Sequence, residues 1–351
     1  MRIGIPVEIK NQEGRVALTP MACQSLIELS HEVLLQAGAG KDSGYNDEEY
    51  AAAGVNLVDG AGALYNDCDL LVKVKEPQPE EVARLRSDQM LFRYLHLAAE
   101  QDLTSALLSS GVTAIGFEII EVNSELPLLS PMSQVAGRLT AQISAHLLHS
   151  NEGGKGLLTG GIAGTDPGNA VVIGAGQAGL AAANDLLCSG VNVTLLDINT
   201  DRLAAIKTQF PAITTVDSSQ PGMLASLICS ADIVIGAVLA PGKRAPVVVT
   251  REMVQDMPNG GVIVDIAIDQ GGCIETSRPT SYDNPTYIEE GIVHFCVTNM
   301  PGAVPRTATQ ALSNAIAPYV EKLARGEISS DAVLQGAIYL QGGKIQYTGL
   351  K

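Results

Sequence analysis

At 351 residues the chain is long enough for two domains with sizeable cores, and 46% hydrophobic residues with 36 Gly, four Phe and no Trp fit tightly wound α/β units better than an aromatic-rich sandwich. A formal net charge of −16 argues against nucleic acid or an anionic membrane as the main partner, so an anionic ligand would need a local cationic pocket. Six scattered cysteines without a C-x-x-C pair, a strand-like N-terminus in place of a signal peptide, and no apolar run of membrane-crossing length predict a cytoplasmic protein with reduced thiols.

Taken in order, residues 3–7 are β-branched and predict a first strand, followed by a polar turn that contains Gly14 and Arg15. Thr19-Pro20 opens a helix as N-cap and first residue. Residues 31–37 read as a strand and 47–53 as a short acidic helix. Residues 69–75 (DLLVKVK) predict a strand with Lys73 and Lys75 on one face, because side chains alternate with period two. A helix over 77–86, a strand over 90–96, a helix over 98–109 and a strand over 113–118 follow. This alternation predicts a parallel sheet with helices on its faces. A helix then runs from about Pro131 to His149, and a glycine-rich stretch leads into a second alternating series. Its later strands are expected near 213–216, 232–239, 261–267 and 292–298. Residues 306–325 carry Leu312, Ile316, Val320 and Leu323 at helical spacing. This helix and a hairpin-like segment over 338–347 should return to complete the first domain.

The most informative stretch is 168–197, GNAVVIGAGQAGLAAANDLLCSGVNVTLLD. It reads as strand, glycine turn, helix and strand. Gly174-Ala-Gly176-Gln177-Ala178-Gly179 is G-x-G-x-x-G in the context that marks a dinucleotide site. Gly174 permits the tight turn, Gly176 lets a pyrophosphate approach the backbone, and Gly179 lets the helix lie close on the strand. The helix N-terminus then offers its unpaired N–H groups to phosphate. Asp197 closes the second strand, where a carboxylate can take both ribose hydroxyls and would repel a 2′-phosphate, so NAD is favoured over NADP. Arg202 stands close enough to temper that preference. A bare glycine turn can be only a turn; here strand, helix and acidic residue are all in place.

Ligands of open α/β sheets sit beyond the carboxyl ends of the strands. Arg15, Lys75, His96 and Glu118 fall at such ends in the first series, and Asp269 and Asn299 in the second. Arg15 and Lys75 could clamp a small carboxylate, although each alone, without its strand-end position, reads better as a solvated surface charge. His96 has the side chain that moves protons near neutral pH, and its bland reading is a satisfied strand-end histidine. Asp269 could hold an ammonium group or orient His96, or simply cap the turn before Gly271-Gly272. Lys73 and Glu118 read better as structural pairing charges. His146 and His149 share a helix face without a third ligand, so no metal site is expected.

The stretches MRIGIPVEIKNQEGRVALTP, DLLVKVKEP, LFRYLHLAA, LPLLSPMSQVAGRL, VVIGAGQAG, VIVDIAIDQGGC and VTNMPGAVPRTATQAL carry a further signal. Through them the chain resembles the alanine dehydrogenase family over essentially its whole length. The resemblance implies two Rossmann-like doubly wound parallel-sheet domains with an active-site cleft between them: residues 1–130 plus 300–351 for substrate, and 131–299 for NAD. It implies reversible oxidative deamination of L-alanine to pyruvate and ammonium, with NAD as cofactor, in a homo-oligomer that is usually a hexamer. By position, Arg15 and Lys75 match the family's substrate-carboxylate contacts, His96 its general acid/base and Asp269 its second essential polar group. Gly174, Gly176, Gly179 and Asp197 match the dinucleotide site, and Met132, Ser133, Val238, Leu239 and Asn299 the cofactor and nicotinamide pocket. Gln177, Ala178, Arg202, Ile266, Asp269 and Met300 complete the expected cofactor set. Gly14 stands where an aromatic is usual and is expected to loosen the segment bearing Arg15. Arg93 replaces a small polar residue and is expected to add charge near the pocket. Ala240 replaces a larger apolar residue.

Three rivals stay open. A transhydrogenase-like NAD(H)-binding module would lack small-substrate chemistry, and Lys75, His96 and Asp269 together argue against it. A saccharopine-type dehydrogenase would want a roomier pocket. A catalytically silent NAD-binding regulator is compatible with the same motifs.

Overall fold

The computed structural model describes every residue except 99, 221, 239–243 and 351. In chain order the strands are β1 (Arg2–Ile5), β2 (Glu32–Gln36), β3 (Asn56–Val58), β4 (Leu70–Val72), β5 (Met90–Arg93), β6 (Thr113–Gly116), β7 (Asn169–Ile173), β8 (Asn192–Asp197), β9 (Thr214–Asp217), β10 (Ile233–Gly236), β11 (Val262–Asp265), β12 (Thr286–Glu289), β13 (Ile292–Phe295), β14 (Ile338–Gln341) and β15 (Lys344–Ile345). The chain divides into two compact units, Met1–Met132 with Pro301–Lys351, and Ser133–Met300.

The first unit holds the sheet β15-β14-β6-β5-β4-β1-β2-β3. Pairs among β1 to β6 are parallel, while β14 lies antiparallel on β6 and β15 folds back on β14. Counted from β3, the parallel strands run 3-2-1-4-5-6, which places a topological switch point between β1 and β4. Thr19 caps the helix Pro20–Glu28 through its side-chain oxygen, as its position before Pro20 predicts. Leu312, Ile316, Val320 and Leu323 of the helix Pro305–Ala324 are all fully buried.

The second unit holds β12-β13-β11-β10-β7-β8-β9, parallel except for the edge pair β12·β13. Counted from β9 through β13 it repeats the 3-2-1-4-5-6 order, with its switch point between β7 and β10. β7, β10 and β11 are buried on both faces apart from Asn169, which explains their unbroken apolar runs. Both sheets are thus doubly wound and parallel, as expected, with an antiparallel pairing at one edge.

Two elements are shorter than expected. The strand expected over 69–75 spans Leu70–Val72, although Lys73 N–H still donates to Phe92 O and Val74 O accepts Tyr94 N–H. The helix expected over 77–86 is the single turn Pro79–Val82.

Candidate functional site

In the first unit, Arg15 follows β1, Lys75 follows β4 and His96 follows β5, so all three stand beyond the carboxyl ends of strands around the switch point. Arg15 is 3% exposed, and its guanidinium is held by Glu13: Nε donates to Oε1 at 2.6 Å and Nη2 to Oε2 at 2.5 Å. Nη1 reaches Met132 Sδ at 3.1 Å. The Arg15 segment is latched to the helix Pro305–Ala324, because Val16 N–H donates to Thr309 Oγ1 and Thr19 N–H to Ser313 Oγ. Gly14 does not loosen it. Its carbonyl accepts Ser43 Oγ at 2.8 Å, and an added Cβ would lie 3.1 Å from Asp42 Cβ.

Glu8 fixes the backbone that carries Lys75, taking Val74 N–H at 2.6 Å and Lys75 N–H at 3.3 Å. Its carboxylate faces Lys73, which also ion-pairs with Glu81. Burial pushes Glu8 up despite the nearby Lys73 and Arg93 cations. Burial also opposes the charge of Glu81, yet Arg93 and Lys73 outweigh it and hold that carboxyl below the ordinary glutamate range. Arg93 is fully buried, and its cation favours the charged forms of Glu8 and Glu81.

His96 is half-buried, stacks on Tyr94 with ring centroids 5.9 Å apart, and has φ +50°. Glu118 Oε1 accepts His96 N–H at 2.7 Å and Leu95 N–H at 3.2 Å. Tyr94 donates its hydroxyl to Leu128 O, and burial pushes its phenol up.

In the second unit the glycine turn leads from β7 into the helix Gln177–Cys188, with Gly176 at the N-cap. A Cβ on Gly174 would come within 2.5 Å of Ala237 O, at φ +104°, and one on Gly179 within 1.8 Å of Gly174 O. At Gly176 nothing lies within 4 Å. The protein thus leaves open the one position that a pyrophosphate needs, and closes the other two on itself, so the residues present fit a dinucleotide. Asp197 Oδ2 accepts Ala175 N–H at 2.7 Å, Oδ1 accepts Asn199 N–H at 2.8 Å, and Arg202 stands 3.5 Å away. Ser133 lies in the helix Ser130–Leu147, whose Gln134 reaches Gln177. Gly137 of that helix would place a Cβ 2.1 Å from Ala178 O, a close approach with no sequence signature.

Val238 packs against the core beyond β10, and Leu239 and Ala240 lie outside the described residues. Asp265, at the end of β11, accepts Ala267, Cys273 and Ile274 N–H and so folds the turn that presents Ile266 and exposed Asp269. Asp269 accepts Asn299 N–H at 3.3 Å, Asn299 having φ +60°. Met300 is buried and its carbonyl accepts Tyr282 OH. His146 meets His149 edge-on and Glu152 at 3.6 Å; among the described residues no cluster has a metal-ligand set. No helix among the described residues is long and apolar enough to cross a membrane.

Sequence reasoning missed Glu8 and Glu13, and it gave Glu118 only a generic pairing role. Each is a carboxylate within reach of a strand-end segment, and no spacing rule marks such residues.

A doubly wound sheet whose glycine turn sits at the switch point defines an α/β dinucleotide-binding protein. The N-terminal domain model of alanine dehydrogenase/PNT matches residues 4–136 and the C-terminal domain model residues 140–348. The chain belongs to the alanine dehydrogenase/PNT family. The alanine dehydrogenase of Halomonas elongata is 46% identical over 352 aligned residues, covering 99% of this chain and 95% of that one. A solved L-alanine dehydrogenase superposes with TM-score 0.95 at 44% identity, covering 100% of this chain and 98% of that one. A transhydrogenase from Sinorhizobium meliloti superposes with TM-score 0.84 at 25% identity, covering 99% of each chain.

Proposed function

We propose that the chain is an NAD-dependent L-alanine dehydrogenase, interconverting L-alanine with pyruvate and ammonium. The observation that carries this reading is the convergence of Arg15, Lys75 and His96 beyond strand ends around one switch point, in a chain whose other sheet carries a dinucleotide cradle. The first unit holds the substrate and the second the cofactor, along Gly174, Gly176, Gln177, Ala178 and Gly179, with Asp197 taking the adenosine ribose. Ser133, Arg202, Val238, Leu239, Ile266, Asn299 and Met300 line the rest of the cofactor's course.

NAD, when bound, supplies the acceptor for the substrate's Cα hydride. Arg15 and Lys75 hold the carboxylate, each charge-assisted bond contributing about 1.5–3 kcal/mol. Asp269 steadies the amino group. His96 takes a proton from the water that adds to the imine carbon, and returns one as the carbinolamine loses ammonia. The amine must be neutral to release hydride, so deamination is faster at alkaline pH and reductive amination nearer neutrality. The chain acts in the cytoplasm as a homo-oligomer, of hexameric form in keeping with the family resemblance.

The test is the rise of NADH absorbance with purified protein, L-alanine and NAD at alkaline pH, with NADP and other amino acids in parallel. A rate seen with L-alanine and NAD, and lost in His96→Ala, supports the reading. NADH binding without turnover of any amino acid overturns it in favour of a transhydrogenase-like binding module.

A further inference from the structure

We infer that Glu118 is the positioning residue that holds His96 in its working conformation, and that Tyr339, from the C-terminal hairpin, holds Glu118. The inference rests on the reading of His96 as the group that moves protons. His96 has φ +50°, a left-handed conformation that costs a non-glycine residue about 1–2 kcal/mol. Such a conformation persists only where the surroundings over-determine it.

Here the surroundings are one carboxylate. Glu118 Oε1 takes the N–H of His96 at 2.7 Å and that of Leu95 at 3.2 Å, and Oε2 takes Leu95 at 3.3 Å. The relative direction of these two N–H groups is set at Leu95, so the carboxylate fixes the peptide plane from which the chain turns left-handed at His96. The stack on Tyr94, with planes 3° apart, then fixes the ring.

Glu118 is itself held from the last strands of the sheet. It lies in the single turn Phe117–Ile119 after β6, and β14 pairs antiparallel with β6, bringing Tyr339 over Gly116. A Cβ at Gly116 would lie 2.3 Å from the Tyr339 ring and 3.3 Å from Glu118 Oε2, so glycine there is what lets the ring reach the carboxylate. Tyr339 and Glu118 thus meet beside Gly116, and burial, with the Glu118 charge near it, pushes the phenol up. Oε1 carries both amides, while Oε2, with one longer bond from Leu95 N–H, lies beside Gly116, as does the Tyr339 ring. Glutamine can keep its oxygen on the two amides and turn its NH2 toward the Tyr339 oxygen, giving up only the longer contact. Alanine cannot.

The experiment is steady-state kinetics on the full chain, with kcat, both KM values and the pH profile of kcat measured for wild type, His96→Gln, Glu118→Ala, Glu118→Gln and Tyr339→Phe. The expected result is a fall in kcat of about a hundredfold in Glu118→Ala, typical of a misplaced catalytic group, with the KM for NAD unchanged. Much of that loss should be recovered in Glu118→Gln, and Tyr339→Phe should give a smaller fall with the same KM pattern. If Glu118→Ala does not fold, the last two variants decide. A Glu118→Gln enzyme as impaired as His96→Gln overturns the inference, as does a Tyr339→Phe enzyme with wild-type kcat and pH profile. If His96→Gln itself keeps wild-type kcat, the proton-transfer reading fails first and takes the inference with it. A dead His96→Gln beside a fully active Glu118→Ala leaves that reading standing and removes only Glu118.

Discussion

Glu13 and Arg15 form a two-pronged ion pair inside the first unit, with both carboxylate oxygens engaged by one guanidinium. The fork fixes the plane of Arg15, which a lysine ammonium cannot reproduce. Arg15→Lys should therefore raise the KM for pyruvate and L-alanine by about tenfold to a hundredfold, the equivalent of one charge-assisted bond. The KM for NAD should hardly change. Equal changes in both KM values would remove Arg15 from substrate binding.

The glycine turn makes two opposite predictions from one substitution type. Gly179→Ala places a methyl where Gly174 O already lies, so it should lower the melting temperature and NADH affinity together. Gly176→Ala meets only open space in the protein, and should abolish NADH binding while the melting temperature stays put. Scanning calorimetry and NADH fluorescence titration on the two variants check both. The absence of Trp leaves the fluorescence background low.

Asp197 does two jobs, bracing Ala175 N–H and standing 3.5 Å from Arg202. Asp197→Ala should weaken NAD use and release Arg202 from its counter-charge. The ratio of kcat/KM for NAD to that for NADP should then fall, whatever the loss of absolute rate. An unchanged ratio would mean that Asp197 does not read the ribose.

The buried charges around Lys73 set the acid limit of stability. Burial opposes the charge on Glu81, but Arg93 and Lys73 bring its folded pKa below the ordinary value. Such a carboxyl stabilises the fold above its unfolded pKa, and that contribution is lost as pH falls through the folded value. Glu8 is pushed the other way by burial, so its contribution is present below the unfolded pKa and declines as pH rises through the folded one. Arg93→Thr removes one of the two cations that act on Glu81 and leaves the Lys73 ion pair in place. Its stability at neutral pH should fall, and the acid limb of its stability curve should become shallower, because less of the depression of the Glu81 pKa remains to be lost. Denaturant melts over a pH series measure both.

The glycine turn and the strand ends were legible because their signals are local. Gly174, Gly176 and Gly179 lie within six consecutive residues, Lys75 and His96 each close an apolar run, and Arg15 lies in the polar turn that follows the first strand. The strand β3, Asn56–Val58, left no such mark, being a three-residue edge strand exposed at Asn56 and Leu57. Beyond Val72 the chain is shaped by more than the ladder: Lys73 N–H and Val74 O still bond to the β5 side, while the amides of Val74 and Lys75 go to Glu8 and the Lys73 ammonium to Glu81. Glu13 and Glu118 act on neighbours through backbone amides or a guanidinium, and a lone glutamate in a sequence does not say which atoms it will reach. Nor does the sequence say that Arg93 will act on Glu8 and Glu81, which lie 85 and 12 residues upstream.

The C-terminal hairpin ties the order of synthesis to the order of folding. Residues 133–300 contain every strand of their own sheet, so that unit can close as soon as it clears the ribosome. The other sheet begins at Arg2 and is finished only by β14, which pairs with a strand made more than two hundred residues earlier, and by β15, which folds back on β14. Its helix Pro305–Ala324, the latch on the Arg15 segment, also arrives late. The half of the molecule translated first is thus the half completed last, and Tyr339 reaches Glu118 only when almost the whole chain has been made.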